Sequence, residues 1–126
     1  VILLDTSVLV DAFSEPRRSF PALRALMESG ERVAWTTLVM YEWLRGPRTP
    51  NEITDQEDLF PIRAAIPFGP AEAELSAILY RSVRRARSRE IDIAIAACAI
   101  RQEAELWTLN PSDFADIPGL KLWRAR

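Results

Sequence analysis

The chain opens on Val1-Ile2-Leu3-Leu4, an unbroken run of apolar residues that stops at Asp5. Such a run lacks the alternation of a half-exposed strand, so it predicts a strand buried on both faces, as in a parallel sheet covered by helices. A parallel neighbour requires a crossover connection, and the rest of the sequence supplies several. Asp5-Thr6-Ser7 can start a helix over Val8 to Phe13. Phe20, Leu23, Leu26 and Met27 share helical spacing before a stop at Ser29-Gly30. Val33 to Thr36 reads as a second strand and Thr37 to Arg45 as a helix ended by Gly46-Pro47. A loop over 47–51 leads to a helix over Glu52 to Ala65, then a brief extended stretch at Ile66-Pro67-Phe68. Pro70 to Arg85 carries the apolar stripe Leu75, Ile78, Leu79 and Val83. After a break at Ala86-Arg87-Ser88, Arg89 to Glu103 is a helix of small residues. Leu106 to Leu109 and Leu120 to Trp123 are the last strands.

Strands alternating with helices predict an α/β fold: one domain over 1–126, with a parallel β-sheet of about four or five strands flanked by helices in an α/β/α arrangement. At 126 residues, 48% of them hydrophobic, the chain can bury a true core. No apolar segment is long enough to predict a membrane span, and the opening run reads as a strand rather than a signal peptide. The single cysteine, Cys98, sits in an apolar run and reads as a core residue, a usage that fits a cytoplasmic protein.

Two absences narrow the chemistry. With no histidine, serine–histidine and cysteine–histidine nucleophile systems and histidine-ligated zinc are excluded. Lys121 is the one lysine, so positive charge is carried almost wholly by arginine, which suits bidentate contact with phosphate. A net charge of −2 argues against indiscriminate coating of nucleic acid but permits a local basic groove.

In parallel sheets, ligands bind beyond the carboxyl ends of the strands, which directs attention to acids there. Asp5 follows the first strand; the competing reading is a helix cap. Glu42 interrupts an apolar helix just after the second strand, and its competing reading is an ion pair with Arg45. Asp92 interrupts an apolar, alanine-rich helix. Glu90 lies roughly 200° around the same helix and cannot share a pocket with it. Three carboxylates gathered without a cation would repel, and hard oxygen donors suit Mg²⁺ or Mn²⁺. A metal is also the available route to hydroxide near neutral pH when histidine is missing. Arg85, Arg87 and Arg89, in a basic run that begins at Arg81, are candidates for an RNA-phosphate rim; the alternative is a solvated face. The four tryptophans read as packing, with Trp43 the one that could line a site.

Four segments carry a resemblance: Leu4-Asp5-Thr6-Ser7-Val8-Leu9-Val10-Asp11, Tyr41-Glu42-Trp43-Leu44-Arg45-Gly46, Asp92-Ile93-Ala94-Ile95-Ala96-Ala97-Cys98-Ala99 and Thr108-Leu109-Asn110-Pro111-Ser112-Asp113-Phe114. In this order the chain resembles the PIN-domain endoribonucleases, in particular the VapC-like toxins of toxin–antitoxin pairs. The resemblance implies a central first strand, a metal-dependent RNA hydrolase, a homodimer in many members and inhibition by a cognate antitoxin. It also implies an acidic quartet with Asp5, Glu42 and Asp92 as catalytic residues, Asp5 and Asp92 as metal ligands, and Asn110 at the fourth position, where an Asp is usual. Asn110 can offer an oxygen but no charge. Asp113 could compensate or could merely cap the following turn, and Ser7 could support Asp5 or serve as an ordinary helix-start hydroxyl.

Two rival classes place Asp after a first strand: haloacid-dehalogenase-type phosphatases and phospho-receivers. The first expects another Asp where Ser7 stands, and both expect a lysine that Lys121 is badly placed to provide. A third rival is a non-catalytic RNA- or antitoxin-binding module, which Asn110 favours.

Overall fold

The computed structural model describes residues 1–124. β1 (Ile2–Leu4) is buried at every position. It pairs in parallel with β2 (Val33–Ala34) on one side and β3 (Glu105–Trp107) on the other. β4 (Lys121–Leu122) joins β3, so the order is β2-β1-β3-β4 and all pairs are parallel. The first strand is therefore central, and its lack of polar alternation is explained by cover on both faces.

Six helices flank this sheet: α1 (Thr6–Phe13), α2 (Phe20–Glu28), α3 (Thr37–Arg45), α4 (Pro50–Leu59), α5 (Pro70–Ser82) and α6 (Glu90–Arg101). α3 starts where predicted because Thr36, itself buried, accepts from the Val39 N–H through Oγ1 at 3.3 Å. α2 runs to Gly30, which takes φ 90°, a conformation that suits glycine. α6 buries Ile93 and Ile95 together with Ala96, Ala97, Cys98 and Ala99, the last four small enough to let its backbone lie close to its neighbours. Burial pushes the Cys98 thiol up to about 12, so this cysteine is an inert core group.

Several boundaries differ from expectation, the strands and α6 by one to two residues at their ends and α4 and α5 for reasons of their own. α4 begins at Pro50 rather than Glu52, because Thr49 and Glu52 form a reciprocal capping box around a proline at the first helical position. It ends at Leu59 rather than Ala65, since Pro61 disfavours helical geometry at Phe60; Ile62–Ala64 forms a separate 3₁₀ turn. α5 stops at Ser82, three residues early. Val83 is extended and Arg85 is left-handed at φ 52°, so Arg84 and Arg85 lie beyond the helix and do not share a side with Arg81. Ile66 contributes one parallel bridge to Thr36 in place of a strand, because Pro67 has no N–H to continue a ladder.

Trp35, Trp43 and Trp107 are buried in the core and Trp123 packs against it, whereas Tyr41 and Tyr80 are exposed. Trp43 is fully buried, donates Nε1–H to Gln56 Oε1 at 3.2 Å and packs against Phe13 at 6.0 Å between centroids. It does not line an open site. Among the described residues no helix is long and apolar enough to cross a membrane.

Candidate active site

The carboxyl ends of the two central strands converge on Asp5. Its N–H donates to the Trp107 carbonyl at 2.9 Å, which ties the end of β1 to the end of β3. The residue is 6% exposed, and its position before α1 does not make it a side-chain cap: no such hydrogen bond forms. Instead its Oδ2 accepts from Ser7 Oγ at 2.9 Å and from Thr108 Oγ1 at 2.7 Å. These two hydroxyls are themselves oriented by backbone donors. The Leu109 N–H donates to Ser7 Oγ and the Asn110 N–H to Thr108 Oγ1, both at 3.0 Å. A chain of hydrogen bonds thus runs from the turn after β3, through two hydroxyls, to one oxygen of Asp5, while Oδ1 stays outside this network.

Glu42 approaches from α3. Its side chain is 19% exposed, and Oε1 accepts from Thr6 Oγ1 at 2.6 Å. The ion pair with Arg45 also exists, but at 3.5 Å to Oε2 and with a half-exposed guanidinium that also stands over the Tyr41 ring. Such a pair contributes little. Glu42 is held chiefly by Thr6, a neighbour of Asp5.

Asp92 lies in the first turn of α6, where the helix dipole favours an anion. The opposite outweighs it. Burial pushes the carboxyl up to about 6, and the negative charges of Asp5, Asp113 and Glu42 push the same way, with Arg89 pulling back. Asp92 therefore feels acids from β1, α3 and the turn after β3 at once. Those acids do not meet at a point: among the described residues, no three acidic or cysteine side chains are close enough as they stand to hold a metal ion. They share a field without touching, the arrangement expected of like charges with nothing between them. The donors are all oxygen, with neither histidine nor lysine among them, and oxygen donors of this kind are those that suit a hard divalent cation.

Asn110 is exposed and leads into a 3₁₀ turn, Pro111–Asp113, without a side-chain cap. Its carbonyl accepts from the Asp113 N–H at 3.0 Å. Asp113 is exposed, precedes no regular helix, and is placed so that its charge reaches Asp92. Arg85 and Arg87 point into solvent beside the 3₁₀ turn Ala86–Ser88. Arg89 does not: its guanidinium is spent on Asp116 and on the carbonyls of Arg84 and Asp113, and its side chain is 16% exposed.

Sequence reasoning gave no role to Thr6 and Thr108, although both stood inside recognised segments. Each is a hydroxyl one residue from a strand end or helix start, a position with many ordinary explanations. Only the crossing distances of 36 and 103 residues in the chain reveal what they hold.

Comparison with known proteins follows this geometry closely. The PIN domain family model matches residues 2–120. The chain is 32% identical over 124 residues to Ribonuclease VapC19 of Mycobacterium tuberculosis, covering 94% of this chain and 96% of that protein. Among solved structures, a toxin–antitoxin complex from Klebsiella pneumoniae contains a chain 29% identical with a TM-score of 0.73, with 95% of each chain covered. VapBC2 from Rickettsia felis, bound to a promoter DNA fragment, matches at 20% identity with a TM-score of 0.72 and 98% of each chain covered, a likeness of fold.

Proposed function

The chain belongs to the PIN-domain family, and from that premise we propose that it is a Mg²⁺- or Mn²⁺-dependent endoribonuclease, the toxin of a toxin–antitoxin pair. The observation that carries this reading is the placement at one sheet edge of Asp5, pinned through Oδ2, and of Asp92, whose carboxyl feels the charges of Asp5, Asp113 and Glu42.

Asp5 and Asp92 would hold the cation, with Asn110 offering a neutral oxygen and Asp113 a compensating charge from the same turn. A divalent ion, when bound, lowers the pKa of water and offsets charge on a phosphodiester. The chain's own contribution is orientation. Ser7 and Thr108 fix Asp5 through Oδ2 and leave Oδ1 without a side-chain donor among the described residues, which removes the entropy of a free carboxylate from the binding step. Thr6 fixes Glu42 through Oε1 and leaves Oε2, only loosely engaged by Arg45, to take a proton from the attacking water. Water would add to phosphorus in line with the departing 3′ oxygen. The P–O3′ bond breaks, giving a 5′-phosphate and a 3′-hydroxyl.

Arg85 and Arg87 would track RNA phosphates along the rim that leads to α6. The toxin–antitoxin complexes among the similar structures support a cognate antitoxin as partner; a homodimer belongs to the proposal on the family resemblance alone. A cytoplasmic setting is part of the same proposal, supported by an RNA substrate and by a single buried cysteine that is free. The test is RNA cleavage by the purified protein with Mg²⁺ or Mn²⁺, repeated with EDTA and with Asp5→Asn and Asp92→Asn. Cleavage that persists in EDTA, or in both variants, overturns the assignment. RNA binding without cleavage would instead favour the non-catalytic module, to which the uncharged Asn110 lends weight.

A further inference from the structure

We propose that Arg89 is a positioning residue which, paired with Asp116, clamps the turn after β3 to the base of α6 and so sets the spacing between Asp92 and the Asn110–Asp113 turn. One guanidinium reaches three segments. Nη1 donates to the Arg84 carbonyl at 2.8 Å and to Asp116 Oδ2 at 2.9 Å. Nη2 donates to the Asp113 carbonyl at 2.7 Å and to Asp116 Oδ1 at 2.5 Å. The planar fork of arginine can serve a bidentate carboxylate and two carbonyls together; an ammonium cannot.

Both ends of the clamp are stiff. The Arg89 carbonyl accepts from the Ile93 N–H at 2.9 Å, so the residue is the first acceptor of α6 and moves with Asp92, one turn further on. At the other end, the Asp113 N–H is bonded to the Asn110 carbonyl, so a hold on Asp113 is also a hold on Asn110. Asp116 is half-exposed and serves no other side chain found here, and its carboxyl is held below the ordinary range by the bond from Arg89. The guanidinium also sets a positive charge near Asp92. This role replaces the phosphate contact that the basic run first suggested for Arg89, and it depends on the nuclease reading only for its activity readout.

Arg89→Ala, Arg89→Lys, Asp116→Ala and the double alanine variant test it. The expected result is that kcat for RNA cleavage falls about 10- to 100-fold in each single variant, the scale of a small misplacement, with KM nearly unchanged and the double variant no worse than either single one. Mn²⁺ binding to the free protein should weaken in parallel. A phosphate contact would behave oppositely: Arg89→Ala would raise KM and reduce the salt dependence of RNA binding, while Asp116→Ala, by releasing the guanidinium, would tighten it. Either of those results overturns the proposal. Should the wild-type protein cleave no RNA, the nuclease reading fails, and amide hydrogen exchange still decides the clamp. Exchange at Asp113 and Phe114 should accelerate in Arg89→Lys and Asp116→Ala alike, and unchanged protection in both removes it.

Discussion

Asp5 and Asp92 are both carboxylates at the edge of the same sheet, yet their surroundings are opposite. Asp5 is the more deeply buried, and it is satisfied: two hydroxyls donate to one of its oxygens, and those hydroxyls are oriented by backbone N–H groups. Asp92 is half-buried, with three negative neighbours outweighing one positive one. Burial is the largest influence on Asp92, with the neighbouring negative charges adding to it, whereas Asp5 has hydroxyl donors at its buried oxygen. In the proposed cation site the pair would divide the work, one carboxylate placed in advance and the other left in a negative field that a cation or a proton would relieve.

The largest effect should come from removing either charge. Asp5→Asn and Asp92→Asn should each lower RNA cleavage in Mg²⁺ by about 1,000-fold or more, as for groups that act as a unit. Their effects on folding should part company. In EDTA at pH 7, Asp92→Asn should stabilise the protein. The rise of its pKa from 3.8 to about 6 corresponds to about 3 kcal/mol, which solvent screening of a half-exposed group reduces to about 1 kcal/mol. Asp5→Asn should destabilise, because the charge-assisted bonds from Ser7 and Thr108 are weakened. Urea melts of both variants check this, and equal shifts in one direction would abolish the contrast.

The pH dependence sharpens it. Because the folded-state pKa of Asp92 is raised, its protonated form stabilises the fold. That contribution is complete below about pH 4, its unfolded value, and is lost as pH rises through 6. The advantage of Asp92→Asn in EDTA should accordingly vanish in melts at pH 4. Thr108→Val should cost about 1–3 kcal/mol, since it removes a donor to Asp5 and leaves the Asn110 N–H without its acceptor. It should also cut cleavage about tenfold by releasing Asp5. The smallest effect is expected from Arg45→Ala, whose long, exposed contact with Glu42 should be worth under about 0.5 kcal/mol in a thermal melt.

Much of this was legible in the chain. β1 and the position of Asp5 followed from four apolar residues, and α3 from Thr36 and the stop at Gly46. The early start of α4 was legible too, in Thr49-Pro50-Asn51-Glu52, but an apolar-periodicity reading passes over a capping box in a polar segment. The end of α5 was not. Arg81 to Arg85 carries no glycine or proline to stop a helix, and what ends it is the extended backbone at Val83, followed by the left-handed turn at Arg85.

The sequence by itself determined the sheet, the order of its helices and which acids stand at strand ends, because hydrophobic patterning and caps are local and act over a few residues. The tertiary structure alone decided what each charge faces. Thr108 reaches Asp5 across 103 residues, and Arg89 reaches Asp116 across 27. Electrostatics depends on distance through space, which a linear pattern does not encode. That is why one arginine of a basic run became a clamp and two carboxylates of similar appearance came to different surroundings.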